Sequence, residues 1–198
     1  MGIFDFLKKQ ADTALRQEAA KALQGAAQSA AKAGSSETFT FPALPADLAQ
    51  LKALPEASLD SPYKTAALTV AALCRFEEDE DAVHEMLNFL KGPEDLSNME
   101  KQFLRDRLRG QAYKSFSFFA GATPENSYVP AVPYRITVSA TPYSFQDENW
   151  ATLYVQSGGA DSPRPIKLRK KPSTGQWFLN EIQCLSDIRL PKEQDPWA

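Results

Sequence analysis

The sequence predicts an α+β fold: an N-terminal amphipathic helix, then three to four helices packed on a C-terminal antiparallel sheet of three to five strands. Three observations predict it. Apolar residues recur at steps of three or four up to about residue 110, and beyond residue 112 the period falls to two. Helices first and strands afterwards is the order of an α+β domain, whereas a parallel sheet would alternate the two. With 43% hydrophobic and 11% aromatic residues in 198, the chain has enough apolar side chain for one core and is not globally disordered.

The elements follow in order. Between residues 2 and 33, Phe4, Leu7, Ala11, Leu15, Ala19, Ala22, Ala26, Ala30 and Ala33 mark one helical face. In residues 1–34, Lys8, Lys9, Arg16, Lys21 and Lys32 oppose Asp5, Asp12 and Glu18, which gives +2 and leaves −5 on the rest of a chain whose net charge is −3. GSSET at 34–38 reads as a flexible linker, so the expected units are 1–36, an Ala-rich helix and linker, and 37–198, with helices over about 46–110 and the sheet over about 133–190. A short helix is expected at 46–54. Ser61 before Pro62 is an N-cap followed by proline in the first turn, and the residues from Ala66 to Cys74 are apolar nearly all round, as in a helix buried on most faces. Acids from Glu78 to Asp81 open a third helix that Gly92 and Pro93 end, and Ser97 with Glu100 has capping-box spacing for a fourth. Alternation then marks strands at Tyr134–Ser139 and Trp150–Val155, and PSTG turns a hairpin between RPIKLRKK and GQWFLNEI.

Composition excludes several classes. An acidic chain, pI near 5.3, does not suit a partner that is nucleic acid. Cys74 and Cys184 are far apart and outside any C-x-x-C spacing, which gives neither a disulfide framework nor a thiolate metal site and suits a reducing, cytoplasmic compartment. The order of apolar and basic residues at the N-terminus is wrong for a secretory signal, no run of about 18 apolar residues predicts a membrane span, and Phe6 stands where a myristoylation pattern wants Ser or Thr. Phosphate-loop, dinucleotide, zinc-protease and nucleophile-elbow motifs are absent from the sequence, so no cofactor or metal is expected and no catalytic residue is assigned.

Three stretches are candidate sites. The tip MGIFDFLKK sets Ile3, Phe4, Phe6 and Leu7 beside Lys8 and Lys9, so residues 1–33 could dock on a protein partner or an anionic membrane surface, pair with a second copy, or pack on their own domain. Arg164, Lys167, Arg169, Lys170 and Lys171 form a basic patch that would hold phosphate, acidic protein or anionic lipid; the plainer reading is an edge strand guarded by lysines. In GATPENSYVPAVPY, Gly121 and Pro124 turn the chain, Asn126 can bond local backbone, and Thr123, Asn126 and Tyr128 offer polar handles if the stretch borders a pocket. His84 and Cys74 are conceivable as a base and nucleophile, but Cys74 belongs to an apolar helix, where burial suppresses thiol reactivity. EEDED at 77–81 lacks the ligand spacing of a calcium loop and reads as a solvated helix start.

SPYKTAALTVAALCRF, EMLNFLKGP, EKQFLRDRL, FFAGATPENSYVPAVPYRITV and the terminal DPWA resemble an uncharacterised bacterial family of the gut Firmicutes type, the domain of unknown function 6935. The resemblance covers about residues 38–198 and leaves the N-terminal helix outside it. It implies a bacterial source and a shared α+β domain, and carries no catalytic residues across. The function expected is therefore a non-enzymatic interaction module, cytoplasmic or peripheral to the membrane, docking through its N-terminal helix. The alternative is a small-molecule binding or enzymatic domain with a pocket between sheet and helices, using residues 121–128 with Tyr134, Trp150 or Trp177.

Overall fold

Leu51, Leu68, Leu87, Ile136, Leu153 and Ile166 meet in one core between a five-stranded antiparallel sheet and a set of helices. The computed structural model describes residues 34–197; the N-terminal helix expected over 2–33 lies outside the described residues. The strands are β1 (Ser36–Phe41), β2 (Tyr134–Ser139), β3 (Trp150–Val155), β4 (Arg164–Lys170) and β5 (Trp177–Ile182), and they lie side by side in that order. Among the described residues all the α-helices fall between β1 and β2: α1 (Leu48–Ala53), α2 (Pro62–Leu73), α3 (Glu80–Lys91), α4 (Asn98–Leu108) and the single turn α5 (Tyr113–Phe116).

The strand β1 is where the structure departs most from the sequence reading. Ser36–Phe41 pairs along its whole length with β2, from Ser36 opposite Ser139 to Phe41 opposite Tyr134, so the linker read at 34–38 gives way to sheet from Ser36 onward. A Gly and two Ser outweigh the strand signal locally, yet Phe39 and Phe41 alternate with Thr38 and Thr40 and put two aromatic rings into the core. The same alternation runs through the other strands: Ile136, Val138, Ala151, Leu153, Val155, Ile166 and Leu168 face the helices, and Thr38 and Thr137 bond hydroxyl to hydroxyl at 2.8 Å on the outer face.

The helix starts are set by capping side chains, expected at Ser61 and Ser97 and found also at Asp47 and Asp79. Asp47 accepts from the Gln50 amide at 2.8 Å, Ser61 from Tyr63 at 3.3 Å and Asp79 from Ala82 at 2.9 Å. Ser97 and Glu100 make the reciprocal capping box, and Gly92 closes α3 with φ +79°. Helix α2 is the centre of the fold: all its residues except Lys64 are buried, and its Ala-rich surface lets it lie close against the sheet. Helices α3 and α4 run antiparallel and are tied at both ends. Glu80 accepts from Arg105 Nε at 2.5 Å and from Arg109 at 3.0 Å, and Lys91 donates to Glu100 at 2.7 Å.

The acidic run at 77–81 is therefore more than a solvated helix start. Glu77 accepts from the Gly110 and Gln111 amides, Asp79 caps α3 and Glu80 holds α4. Strand β4 lies between β3 and β5, so the reading of its cations as guards of an edge strand is overturned. The sheet's edges are β1 and β5.

Candidate functional site

Beside β5, the helix α4 stands off from the sheet and leaves a cleft of about 220 Å³ lined by Leu96, Met99, Phe103, Leu104, Leu179 and Ile182. Its lining is mainly apolar, and Met99 is 83% exposed, so the cleft presents bare hydrocarbon to solvent. The cleft continues past Lys91, Leu179 and Asn180 into a hollow of about 310 Å³ bordered by Glu94, Arg169, Lys170, Lys171 and Phe178.

Packing sets the turn that leads from α3 into α4 beside the cleft. At the end of α3 the Phe178 ring lies against Gly92, so close that a Cβ there would sit 2.4 Å from a ring carbon. Glycine is required twice over, by that contact and by the positive φ. Chain 92–97 then loops out to start α4 at Ser97, with Leu96 turned in and its amide donating to Asn88 Oδ1 at 2.9 Å. The Lys91–Glu100 pair bridges the loop. Burial pushes the Glu100 carboxyl up, but the bonds from Lys91 and Ser97 outweigh it and hold the group below its ordinary value.

The five cations of the basic patch are not equivalent. Arg164 donates to the Asp187 carbonyl at 2.7 Å and Lys167 pairs with Glu181 at 2.8 Å. Arg169 lies 5.2 Å over the Trp150 ring and Lys170 Nζ lies 5.9 Å from the centre of Trp177. The aromatic partners sit opposite them in register, Trp150 with Arg169 and Trp177 with Lys170. In sequence the cluster lacks neighbouring aromatics, because its rings come from the adjoining strands. Only the pairing register reveals them.

The stretch 121–134 forms a self-contained turn. Gly121 takes φ +86°. The Asn126 amide donates to the carbonyls of Gly121 at 2.8 Å and Val129 at 2.9 Å, while its Oδ1 accepts from the Thr123 amide at 2.9 Å. Tyr128 is 1% exposed, stacks on Tyr113 at 5.4 Å and donates to the Arg189 carbonyl at 2.8 Å. Burial pushes its hydroxyl up to about 12. Gly121, Thr123, Asn126 and Tyr128 thus come together, with the polar groups of Asn126 and Tyr128 engaged within the protein. A cis Val132–Pro133 bond leads into β2. Of the aromatics expected near a pocket, Trp177 is in the core, Tyr134 is half-buried against Phe119 at 5.7 Å, and Trp150 lies under Arg169.

His84 is buried on α3, its Nε2 3.7 Å from Glu80 and without a hydrogen bond. Burial pulls its pKa down, against the opposing pull of Glu80. Both cysteines are buried and reduced: burial pushes the Cys74 thiol well up and Cys184 to about 12, which suits neither as a nucleophile. Among the described residues no group of His, Cys, Asp and Glu is arranged to hold a metal ion, and no helix is long and apolar enough to cross a membrane. Ile3, Phe4, Phe6, Leu7, Lys8 and Lys9 lie outside the described residues.

No curated protein and no solved structure matches the chain. A family model does, over residues 43–192, a span that begins just after β1 and ends in the segment following β5. It therefore takes in every helix described, the turn at 121–134, and both halves of the cleft. The chain belongs to the family of the domain of unknown function DUF6935.

Proposed function

We propose that this chain is a non-enzymatic interaction module with two handles: the basic segment 1–33, which docks on a protein or anionic membrane surface, and the cleft beside β5 on the α+β body. One observation carries the reading. The body exposes a continuous apolar cleft, with Met99 at its rim and cations at one end, at a sheet edge. Such a surface costs solubility unless something covers it. Elsewhere the side chains with chemical potential are engaged in structure: the thiols are buried, Tyr128 bonds Arg189, and His84 is enclosed between Phe76 and Glu80.

A pocket between α2 and the sheet has less support, because Ala66, Val70, Leu73, Leu153 and Ile166 fill that layer with almost no accessible surface. For the N-terminal handle, the test is sedimentation of the full chain with vesicles of anionic and of neutral lipid, beside its Lys8→Glu, Lys9→Glu double variant, with size-exclusion mass measurement of both. Loss of vesicle binding or of self-association in the double variant is expected. Identical behaviour of the two proteins would remove the N-terminal handle.

A further inference from the structure

The free edge of β5 has polar backbone as well as an apolar lining, and the two together define what fits there. Trp177 turns its peptide groups away from β4: its N–H donates to the Leu59 carbonyl at 2.7 Å and its C=O accepts from Thr65 Oγ1 at 2.7 Å. An antiparallel ladder alternates, so Leu179, two residues on, directs its N–H and C=O to the same side, which here is the cleft. A β-bulge at Asn180 follows, and β5 continues to Ile182. The edge is blocked at Trp177 and open from Leu179 to Ile182, with α4 as the opposite wall. A strand laid there could bond the edge while alternate side chains enter between Leu96, Phe103 and Leu104.

Charge then decides the occupant. Lys91 is neutralised by Glu100, but Arg169, Lys170 and Lys171 form no salt bridge within the described residues and share the hollow with a single acid, Glu94. That end of the cleft is net positive. The N-terminal segment of this chain, at +2, has the wrong sign for it.

The geometry points to an extended peptide segment of a partner protein, apolar at alternate positions and followed by acidic residues, that adds to β5 as a sixth strand between it and α4. This inference rests on the reading of the chain as an interaction module. The apolar half lies along Leu179–Ile182. Where Leu59 and Thr65 close the edge at Trp177 the peptide leaves the sheet, and its acidic half meets Arg169 and Lys171. The exposed Trp150 ring under Arg169 lowers the cost of holding that cation in place.

The test uses the full chain and a synthetic peptide with alternating valines in one half and three acidic residues in the other, titrated by calorimetry. Saturable binding is expected, weakened about tenfold or more by the Arg169→Glu, Lys171→Glu double variant and weakened further by salt. Met99→Glu, at an exposed site that leaves the thermal midpoint in place, should abolish it. N-methylation of every second peptide amide should abolish binding in one register and spare it in the other, as only strand addition requires.

Absence of binding, or equal binding of a peptide with lysines for the acids, overturns the inference. So does N-methylation that acts alike in both registers. Self-association of the chain that Met99→Glu abolishes would seat a second copy in the cleft, for instance by its segment with Glu193, Asp195 and the exposed Trp197, and would overturn the partner named here. If the peptide fails while the Lys8→Glu, Lys9→Glu variant still loses vesicle binding, the sixth strand falls and the module reading stands.

Discussion

Gly159 lies directly against Tyr128: a Cβ built on the glycine would be 1.8 Å from the tyrosine hydroxyl oxygen. That oxygen also donates to the Arg189 carbonyl, and the Arg189 amide donates back to the Gly159 carbonyl at 2.9 Å. The turn at 121–128, the loop after β3 and the segment after β5 are locked at one point. Replacing Gly159 with Ala must expel the Tyr128 ring or shift the loop, and the expected loss is about 1–3 kcal/mol, the scale of overpacking a filled site. Tyr128→Phe, which removes only the hydrogen bond, should cost about 1 kcal/mol. Denaturant midpoints of the two variants check the ordering. A Gly159→Ala protein as stable as the parent would mean that the contact is not present in solution.

Asn126 should behave as a structural residue of the turn. Its side chain satisfies three backbone groups, those of Gly121, Thr123 and Val129, in place of regular secondary structure. Asn126→Ala leaves them to water at the surface, and a loss of about 1–2 kcal/mol is expected. Asn126→Asp keeps the acceptor for Thr123 but sets a carboxylate oxygen against the carbonyls of Gly121 and Val129, so it should be no more stable than the alanine variant. Urea denaturation of the three proteins tests this, and an Asp variant as stable as the parent would contradict the account.

These two contacts also show what the sequence could disclose. The helix ends at Ser61, Gly92 and Ser97 were legible because a cap is a local event, decided within four residues. The fold class and the strands from Tyr134 onward were legible for the same reason of period. Strand β1 was not, because its partner lies about a hundred residues away and its Gly and Ser outvote Phe39 and Phe41 in any short window. The cleft is less legible still. Leu96, Met99 and Phe103 look like an ordinary helix stripe until α4 is seen to stand off from Leu179 and Ile182. The basic patch was visible as a cluster, but its division into Arg164 bonded to a carbonyl, Lys167 neutralised by Glu181, and ring-backed Arg169 and Lys170 depends on register.

His84 gives the protein a stability that depends on pH. Its folded pKa lies below the ordinary 6.5, through burial first, with Lys101 and Arg105 adding to that effect and Glu80 and Asp81 opposing it. The unfolded chain therefore binds the proton more readily, and stability rises with pH between the two values. The penalty is absent above about pH 6.5 and complete below the folded pKa. Denaturant midpoints taken on either side of that window should fall on acidification, and His84→Gln should flatten the change across it. A His84→Gln protein with the same slope as the parent would assign the titration to another group.

Neither cysteine should react while the protein is folded. Burial removes access and pushes both thiols up, Cys184 to about 12, so the thiolate fraction at neutral pH is negligible. An aromatic disulfide reagent should release nothing from the native chain in the time that titrates two thiols in denaturant. Rapid native labelling, or a mixed population that ran as a disulfide dimer, would show that Cys74 or Cys184 reaches solvent.

Gly92 ends α3 against Phe178, which borders the cationic half of the cleft, and its replacement should be felt in that contact. At φ +79° an alanine is strained, and its Cβ would strike the Phe178 ring at 2.4–2.9 Å. The backbone alone makes Gly92→Ala costly by about 1 kcal/mol, and the ring contact adds to it unless Phe178 can swing away. Phe178→Ala removes the obstacle, so the double variant should be more stable than the sum of the two single losses allows. The coupling should come out at about 1 kcal/mol or more in urea denaturation of the four proteins in that cycle. Strict additivity would mean that Phe178 does not lie on Gly92, and with it would go the account of how Phe178 borders the cationic hollow.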